Sequence, residues 1–393
     1  MRLPFTALAF ACLSTVAFAQ SDVAVLLDGS RIEQRVTQIE GGKVTFEGDA
    51  KPVDLLGLRR IERPVEASEA EASARVFLVG GGMIRASAVA LDENHCTLTW
   101  AYGELKLPLS AVRGIQLSDE TDARKLPAGA DAFLADVNGA ASETDRLYVS
   151  IDNKVQSLQG VFLDMAADKI KFQYEDAERT VDRARAFGLT LTTTGKRPEL
   201  TGSALVKFAD GSSLWVKIEK MQTGLIAMKT LNDQAMTLPW AAVQRLDVRS
   251  DRMMFLSDLE PVDVYEKAIA YIGPWQRDRS VRGKPLRIAG RTFDKGLGVH
   301  ATSRLSFNVD PKFTALAATI GIDDETKNKG DCEFVVLGDG RELFKQRIRP
   351  SDGMVEIRVK LEGVKKLTLA VEAGEDLDFA DHGDWGDVRL IRE

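Results

Sequence analysis

Cysteine, histidine and excess positive charge are scarce in this sequence, and each scarcity excludes something. Three of its 393 residues are cysteine and three are histidine. No C-x-x-C spacing occurs, which removes thiolate zinc frameworks and disulfide-stapled scaffolds from consideration. Cys12 falls in the N-terminal apolar stretch, so only Cys96 and Cys332 belong to the expected folded body. Both sit in strand-like apolar contexts and read as buried free thiols. The formal charge of −7 leaves no need for a basic face, so nucleic acid is not an expected partner. Beyond the N-terminus no run approaches the roughly 20 apolar residues that span a bilayer, so the chain is not expected to be membrane-spanning.

What the N-terminus does hold is an export signal. Arg2 gives a positive start, residues 3–16 are apolar, and Ala17-Phe18-Ala19 is an A-x-A cleavage signal before Gln20. Cys12 lies too early, after too short a hydrophobic region, to serve as a lipoprotein anchor. Residues 1–19 therefore read as a signal peptide, and the expected location is secreted, or periplasmic and cell-envelope.

The first two-thirds of the chain is repetitive. Alternating apolar residues run into Asp28-Gly29-Ser30 in one unit and into Asp210-Gly211-Ser212 in another, and Asp-Gly between alternating runs is a strong hairpin signal. Each unit then passes through further alternating strands and closes on a short hydrophobic tail after a helical or 3₁₀ turn. Four such units occupy 22–63, 75–118, 146–191 and 203–250. The third is the most diverged, with Asp152-Asn153 at its first turn. Residues 64–74 are acidic and rich in small side chains, as in a mobile or briefly helical linker. A short helix is expected around 130–137. A meander this small buries a core by curling into a barrel or by pairing with a neighbour; the sequence leaves both open. The repeats hold one histidine, His95, and no cluster of catalytic residue types, so structural or interaction roles are their default.

From about residue 252 the texture changes to short alternating strands punctuated by Gly and Asp turns, the pattern of an antiparallel sandwich. Two windows concentrate the chemistry. Lys295-Gly-Leu-Gly-Val-His300 opens a strand, and Asp381-His-Gly-Asp-Trp-Gly-Asp387 lies far downstream. Between them stand Gly321-Ile-Asp-Asp324 and Gly338-Asp-Gly340. Gly296 and Gly298 serve backbone geometry. His300 reads either as a core histidine or as a ligand contact. Asp323 and Asp324 read as turn caps or as calcium ligands. The aspartates around His382 and Trp385 suit either a hard cation or a sugar, which needs planar polar groups for its hydroxyls and an aromatic face for its C–H side. Trp385 itself reads equally as a core plug.

Together with Phe255-Leu-Ser-Asp-Leu-Glu-Pro261, these windows, in this order, resemble the NPCBM family of carbohydrate-binding modules over a little more than a third of the chain. That resemblance implies a galactose-binding-like jelly roll, glycan recognition and, in some members, a structural Ca²⁺. The expected fold is thus all-β: repeats of small β-meander or barrel units followed by a jelly-roll β-sandwich over 252–393. The expected ligand-binding residues are His300, Asp381, His382, Asp384 and Trp385. Asp323, Asp324 and Asp387 are the metal candidates; no cofactor is required, and a structural Ca²⁺ is what the resemblance to some family members implies. No hydrolase domain accompanies the module, so the expected function is an exported, non-catalytic protein whose partner is a glycan or polysaccharide. Two alternatives stand beside it. One is a structural or protein-interaction role with other envelope proteins, the sugar site being degenerate. The other is a glycosidase using Asp323, Asp381 or Asp384, which would need paired carboxyls about 5–10 Å apart.

Overall fold

A computed structural model describes residues 21–392 except 49–50, 69, 123, 139–142, 176, 193–197, 268–272 and 376. The signal-peptide reading of 1–19 lies outside the described residues. The body is almost entirely β, as expected. Among the described residues no helix is long and apolar enough to cross a membrane.

The four repeats share one plan. The fourth shows it most cleanly: strands Ala204–Phe208, Ser213–Gln222, Leu225–Thr230 and Ala235–Pro239, a 3₁₀ turn Trp240–Ala242, then a closing strand Val243–Val248. The closing strand returns to pair antiparallel with the first, so each meander curls into a small barrel. The same return joins Leu58–Glu62 to Val23–Leu26, Val112–Gln116 to Ala74–Leu78, and Ala186–Thr190 to Asp145–Ile151. A bulge recurs in the second long strand, between Val36 and Gln38, Ala86 and Ala88, Phe162 and Asp164, and Ile218 and Lys220. Such bulges bend a strand and raise its twist, which is what lets a short meander close. In the diverged third unit, Asp152 and Asn153 both have positive φ, 48° and 59°, as a two-residue type I′ hairpin requires.

The units then pair. The closing strands of units one and four lie antiparallel, Leu246 opposite Ile61, and those of units two and three do the same, Ile115 opposite Leu189. Both alternatives left open by the sequence are therefore used: each unit curls, and the curled units pair. One continuous apolar core runs through all four. The helix Ala130–Asn138 covers the outer face of the second pair, with Phe133 packed edge-to-face on Tyr148 and Phe187. Glycine at 114 and 188 makes that possible, since a Cβ on Gly188 would lie 2.8 Å from the Phe133 ring. Residues 64–73 form no helix among those described. They run over the fourth unit, where the Ser68 amide donates to the Ala209 carbonyl at 2.7 Å. That docking, and the start of the next strand at Ala74, differ from a briefly helical linker.

The C-terminal sandwich packs two antiparallel sheets. One runs Gln276–Arg277, Gly296–His300, His382–Ile391, Ala315–Ile322, Val355–Lys360, with Met253–Phe255 also on His382–Ile391. The other runs Asp263–Glu266, Ser303–Asn308, Lys366–Ala373, Cys332–Gly338, Arg341–Ile348. Apolar side chains alternate into the space between them. Cys96 and Cys332 are both buried and not joined in a disulfide, and burial pushes the Cys96 thiol up to about 12.

The sandwich is docked onto the first repeat. Leu27 joins Met253, Ala315, Ala317 and Ile391 in a small apolar contact, and Arg389 Nε donates to the Leu27 carbonyl at 3.3 Å. Beside it, Asp387 is ion-paired with Arg59 and lies 3.6 Å from Arg60. Burial would raise the Asp387 carboxyl, but Arg59 and Arg60 hold it below its ordinary 3.8. A depressed folded value means the pair stabilises the protein above that pH and the contribution is lost as pH falls through the folded value. Asp387→Asn should therefore lower stability by on the order of 3–5 kcal/mol at pH 7 and flatten the acid limb of a melting-temperature profile. Equal melting temperatures for wild type and variant at pH 7 would count against this.

Candidate functional site

The strand His382–Ile391 places every site candidate from its own window. Gly383 and Trp385 face the sandwich interior: a Cβ on Gly383 would meet Val371 and Phe334 of the opposite sheet, and Trp385 packs edge-to-face on Phe334 at 5.1 Å. Trp385 is 1% exposed and offers no face to a sugar. This corrects its expected role: the residue is the core plug. Period-two alternation then sends His382 and Asp384 to the outer face, where His300 stands directly opposite His382 in register.

That outer face is roofed. The segment 278–293 folds over it, its hairpin Leu286–Ile288 and Arg291–Phe293 burying Leu286, Ile288 and Phe293. The strands beneath carry glycine where the roof touches. A Cβ on Gly298 would lie 2.7 Å from Ser280 Cα, one on Gly386 2.8 Å from the Phe293 ring, and one on Gly321 would overlap Ile288. The glycines of the Gly296-Leu-Gly298 window are thus spacing residues for a covering layer.

Under the edge of the roof lies a polar cluster. His382 Nδ1 is 2.9 Å from Glu325 Oε1, and the His300 and His382 rings meet edge-to-face at 5.6 Å. Asp384 shares a hydrogen bond with Asp323. Burial, that bond and the nearby charges of Asp323 and Glu325 push the Asp384 carboxyl well above its ordinary 3.8. Burial likewise lowers His300 and His382, outweighing the Glu325 charge beside His382. Both imidazoles are neutral at pH 7. Asp381 Oδ1 accepts from the Asp331 amide at 2.7 Å and so ties the 324–331 loop to the start of the strand. His300 is 5% exposed, His382 and Asp384 1% each, and Asp381 is fully buried. The structure brings these four together, but as a floor rather than a surface. Several of its atoms have no partner among the described residues: both ring nitrogens of His300, His382 Nε2, Asp384 Oδ2 and Glu325 Oε2. Buried polar atoms are rarely left so.

The calcium candidates fare differently. Asp323 Oδ1 caps the Glu325 amide at 2.7 Å and its Oδ2 accepts from the Arg287 amide at 3.1 Å. Asp324 accepts from the Gly290 amide at 2.9 Å and pairs with Arg287 at 3.2 Å. Both pin the roof hairpin. Asp387 is committed to Arg59 and Arg60 at the repeat interface. The three carboxylates do not converge, and among the described residues no group of three or more His, Cys, Asp or Glu could hold a metal ion. Asp323, Asp324 and Asp387 therefore do not form one Ca²⁺ site together. Nor are Asp323 and Asp384 set apart across an open cleft as a glycosidase pair would be; they share a bond.

Two residues outside the sequence-level set belong to the site. Glu325 orients His382, and the signal was available in the acidic run that follows the strand Ala315–Ile322. Phe379 is 63% exposed on the turn whose Ala380 carbonyl accepts from the His382 amide and whose Asp378 backbone lies against the His300 ring. An aromatic residue inside an acidic loop was its signal.

Because the folded Asp384 value lies above 3.8, the native state binds more protons just above that pH, and this group's contribution weakens as pH rises toward the folded value. Asp384→Asn, which can still donate to Asp323, should keep the fold and remove that decline in urea unfolding between pH 4 and 8. Asp384→Ala removes one donor to Asp323, which keeps the Glu325 and Arg287 amides, and should cost about 1 kcal/mol. A decline of the same slope in Asp384→Asn would place the proton elsewhere.

Comparison with known proteins agrees with this fold at the C-terminus. The NPCBM/NEW2 domain model matches residues 252–391. A putative endo-alpha-N-acetylgalactosaminidase of Renibacterium salmoninarum is 36% identical over 110 residues, 28% of this chain and 7% of that protein. Alpha-1,3-galactosidase B of Akkermansia muciniphila is 31% identical over 122 residues, 30% of this chain and 15% of its own length. The chain therefore spans only a small part of either curated relative. Among solved structures, the CBM51 of Clostridium perfringens GH95 in complex with methyl-galactose aligns at 25% identity over 35% of this chain and 99% of that chain, with a TM-score of 0.33. Residues 252–391 of this chain are an NPCBM/NEW2 domain.

Proposed function

We propose that this chain is an exported, non-catalytic glycan-binding protein in which the C-terminal sandwich recognises sugar and the paired repeats are its scaffold. The observation that carries the reading is the cluster of partnerless buried polar atoms on His300, His382 and Asp384 beside an exposed aromatic ring, Phe379, within an NPCBM/NEW2 domain. A pyranose needs both kinds of group: hydrogen-bonding partners for its hydroxyls and an apolar face for its C–H side. In this arrangement Phe379 replaces Trp385 as the aromatic face. His300, the least buried of the three, meets a hydroxyl, while Glu325, Asp381 and Asp384 hold the loops and rings in place. The names of the two curated relatives, an N-acetylgalactosaminidase and a galactosidase, make galactosides the first probes. The signal-like residues 1–19 support export, to the medium or the cell envelope.

A second reading, an envelope interaction protein with a degenerate sugar site, draws on the burial of Trp385. Affinity electrophoresis of the intact protein on galactoside-bearing polysaccharides separates the two. Wild type should be retarded, and Phe379→Ala and His300→Ala should each weaken retention about tenfold or more, the scale of a lost stacking or hydrogen-bonding partner of about 1.4 kcal/mol. No retardation of wild type on any such gel would sink the glycan reading in favour of the second. Retention unaffected by Phe379→Ala would move the site away from this loop end.

A further inference from the structure

A large cavity lies away from the polar cluster. It is a cleft of about 1190 Å³ whose walls come from units one, two and four, the end of the helix Ala130–Asn138 and the sandwich. It opens at the Gly296 end of the strand Gly296–His300, whereas the polar cluster lies at the His300 end, about 13 Å along an extended strand. Its walls carry ten basic and five acidic side chains in a chain whose net charge is −7.

Acids neutralise that excess only in part: Glu62 pairs with Arg60, Asp247 with Arg245, and Glu260 and Glu356, beyond the lining, with Arg277 and Arg291. Asp387 is divided between Arg59 and Arg60, Asp258 between Arg249 and Lys295, and Asp294 between Arg245 and Lys207. Arg31 projects from an exposed position with no carboxylate within 4 Å among the described residues. Arg60 is confined beside Arg59 and Arg245, and its Nε is buried without an acceptor.

Comparison of the two repeat pairs shows how specific this wall is. Their closing strands meet in equivalent fashion. In units two and three the outward positions include Gly114, opposite Thr190, and Gly188, opposite Gln116, and the helix Ala130–Asn138 packs over the two glycines. In units one and four the outward positions are Arg60, Glu62, Arg245 and Asp247, and they face the cleft. One copy of the architecture is covered by a helix; the other presents guanidinium groups. Between those groups stand half-buried aromatic rings, Trp215 and Phe255. Arg59 and Lys295 both lie over Phe255, at 5.6 and 5.8 Å.

We propose that this cleft is a second ligand site, separate from the loop-end site, for an anionic oligosaccharide bearing sulfate or carboxylate groups. Guanidinium forks match both anions in bidentate fashion, and aromatic rings supply faces for the sugar rings between the charges. The cavity exceeds the range of about 300–1,000 Å³ usual for small-molecule pockets, which suits several linked sugars better than one. A positive field confined to a cleft in an acidic protein concentrates small anions there and repels long polyanions elsewhere.

Isothermal titration of the full chain tests this with size-matched probes: heparin-derived oligosaccharides for sulfate, oligogalacturonates for carboxylate, neutral galacto-oligosaccharides and a poly-glutamate peptide. At least one acidic sugar should bind tenfold or more tightly than the neutral one, and more weakly as salt rises. Arg31→Glu combined with Lys207→Glu, at an exposed and a half-buried position, should weaken that binding at least tenfold with an unchanged melting temperature. Trp215→Ala should weaken it with no change in charge. Phe379→Ala should leave it intact, so this site and the loop-end site succeed or fail separately. Failure of wild type to prefer either acidic sugar overturns the proposal. So does undiminished binding by both the charge-reversed protein and Trp215→Ala. Equal affinity for poly-glutamate would make the cleft a peptide site instead.

Discussion

A β-strand shows successive side chains to opposite faces, and in His382–Ile391 that constraint sets most of what the C-terminal domain can do. The strand is buried along its whole length and pairs with three others. Odd positions 383 and 385 face the core, and even positions 382 and 384 face the roof. At Asp387 the alternation breaks. Three residues of the partner strand, from Ala317 to Thr319, stand against four of this one, from Arg389 to Gly386, and Asp387 takes φ 52°. A bulge of this kind turns a side chain out of its expected face. It aims Asp387 at Arg59 and Arg60, then restores Val388 and Leu390 to the core and Arg389 to the first repeat. One inserted residue thus joins the C-terminal sandwich to the first repeat.

The remaining features follow from packing around that strand. Glycine at 298, 321 and 386 lets the roof lie on the outer face, and the roof buries the histidines and aspartates that would otherwise form an open polar surface. Burial lowers the two imidazoles and raises Asp384, so the cluster is held by shared protons and neutral rings rather than by exposed charge. At the opposite end, the bulge and the docking contact leave a cleft whose charge comes mainly from the repeats. Neither half of the chain forms that cleft alone, since its lining draws on both.

Much of the fold was legible because its signals are local. Asp28-Gly29 and Asp210-Gly211 mark hairpins by turn chemistry, Asp152-Asn153 does so through positive φ, and alternating apolar residues mark the strands. The 3₁₀ turn before each closing strand and the helix at 130–138 were readable in the same way. The site was only half legible. His300, His382 and Asp384 do assemble, since strand register brings the two windows side by side. Trp385 was assigned to sugar because composition alone does not reveal which parity faces the core. Asp387 was assigned to metal because a bulge and an arginine pair more than 300 residues earlier in the chain leave no local trace. Phe379 was passed over because its exposure depends on how its loop is seated.

The sequence by itself determined the all-β class, the four-unit repeat, the C-terminal domain and its family, because each is written in short-range periodicity, turn residues and ordered motifs. Only the tertiary structure decided that units pair one with four and two with three, that Trp385 is core and Phe379 surface, that three aspartates cap and dock instead of converging, and that arginines from several units share one cleft. Those outcomes depend on which faces meet across long stretches of chain, and face-to-face packing is a property of the folded whole.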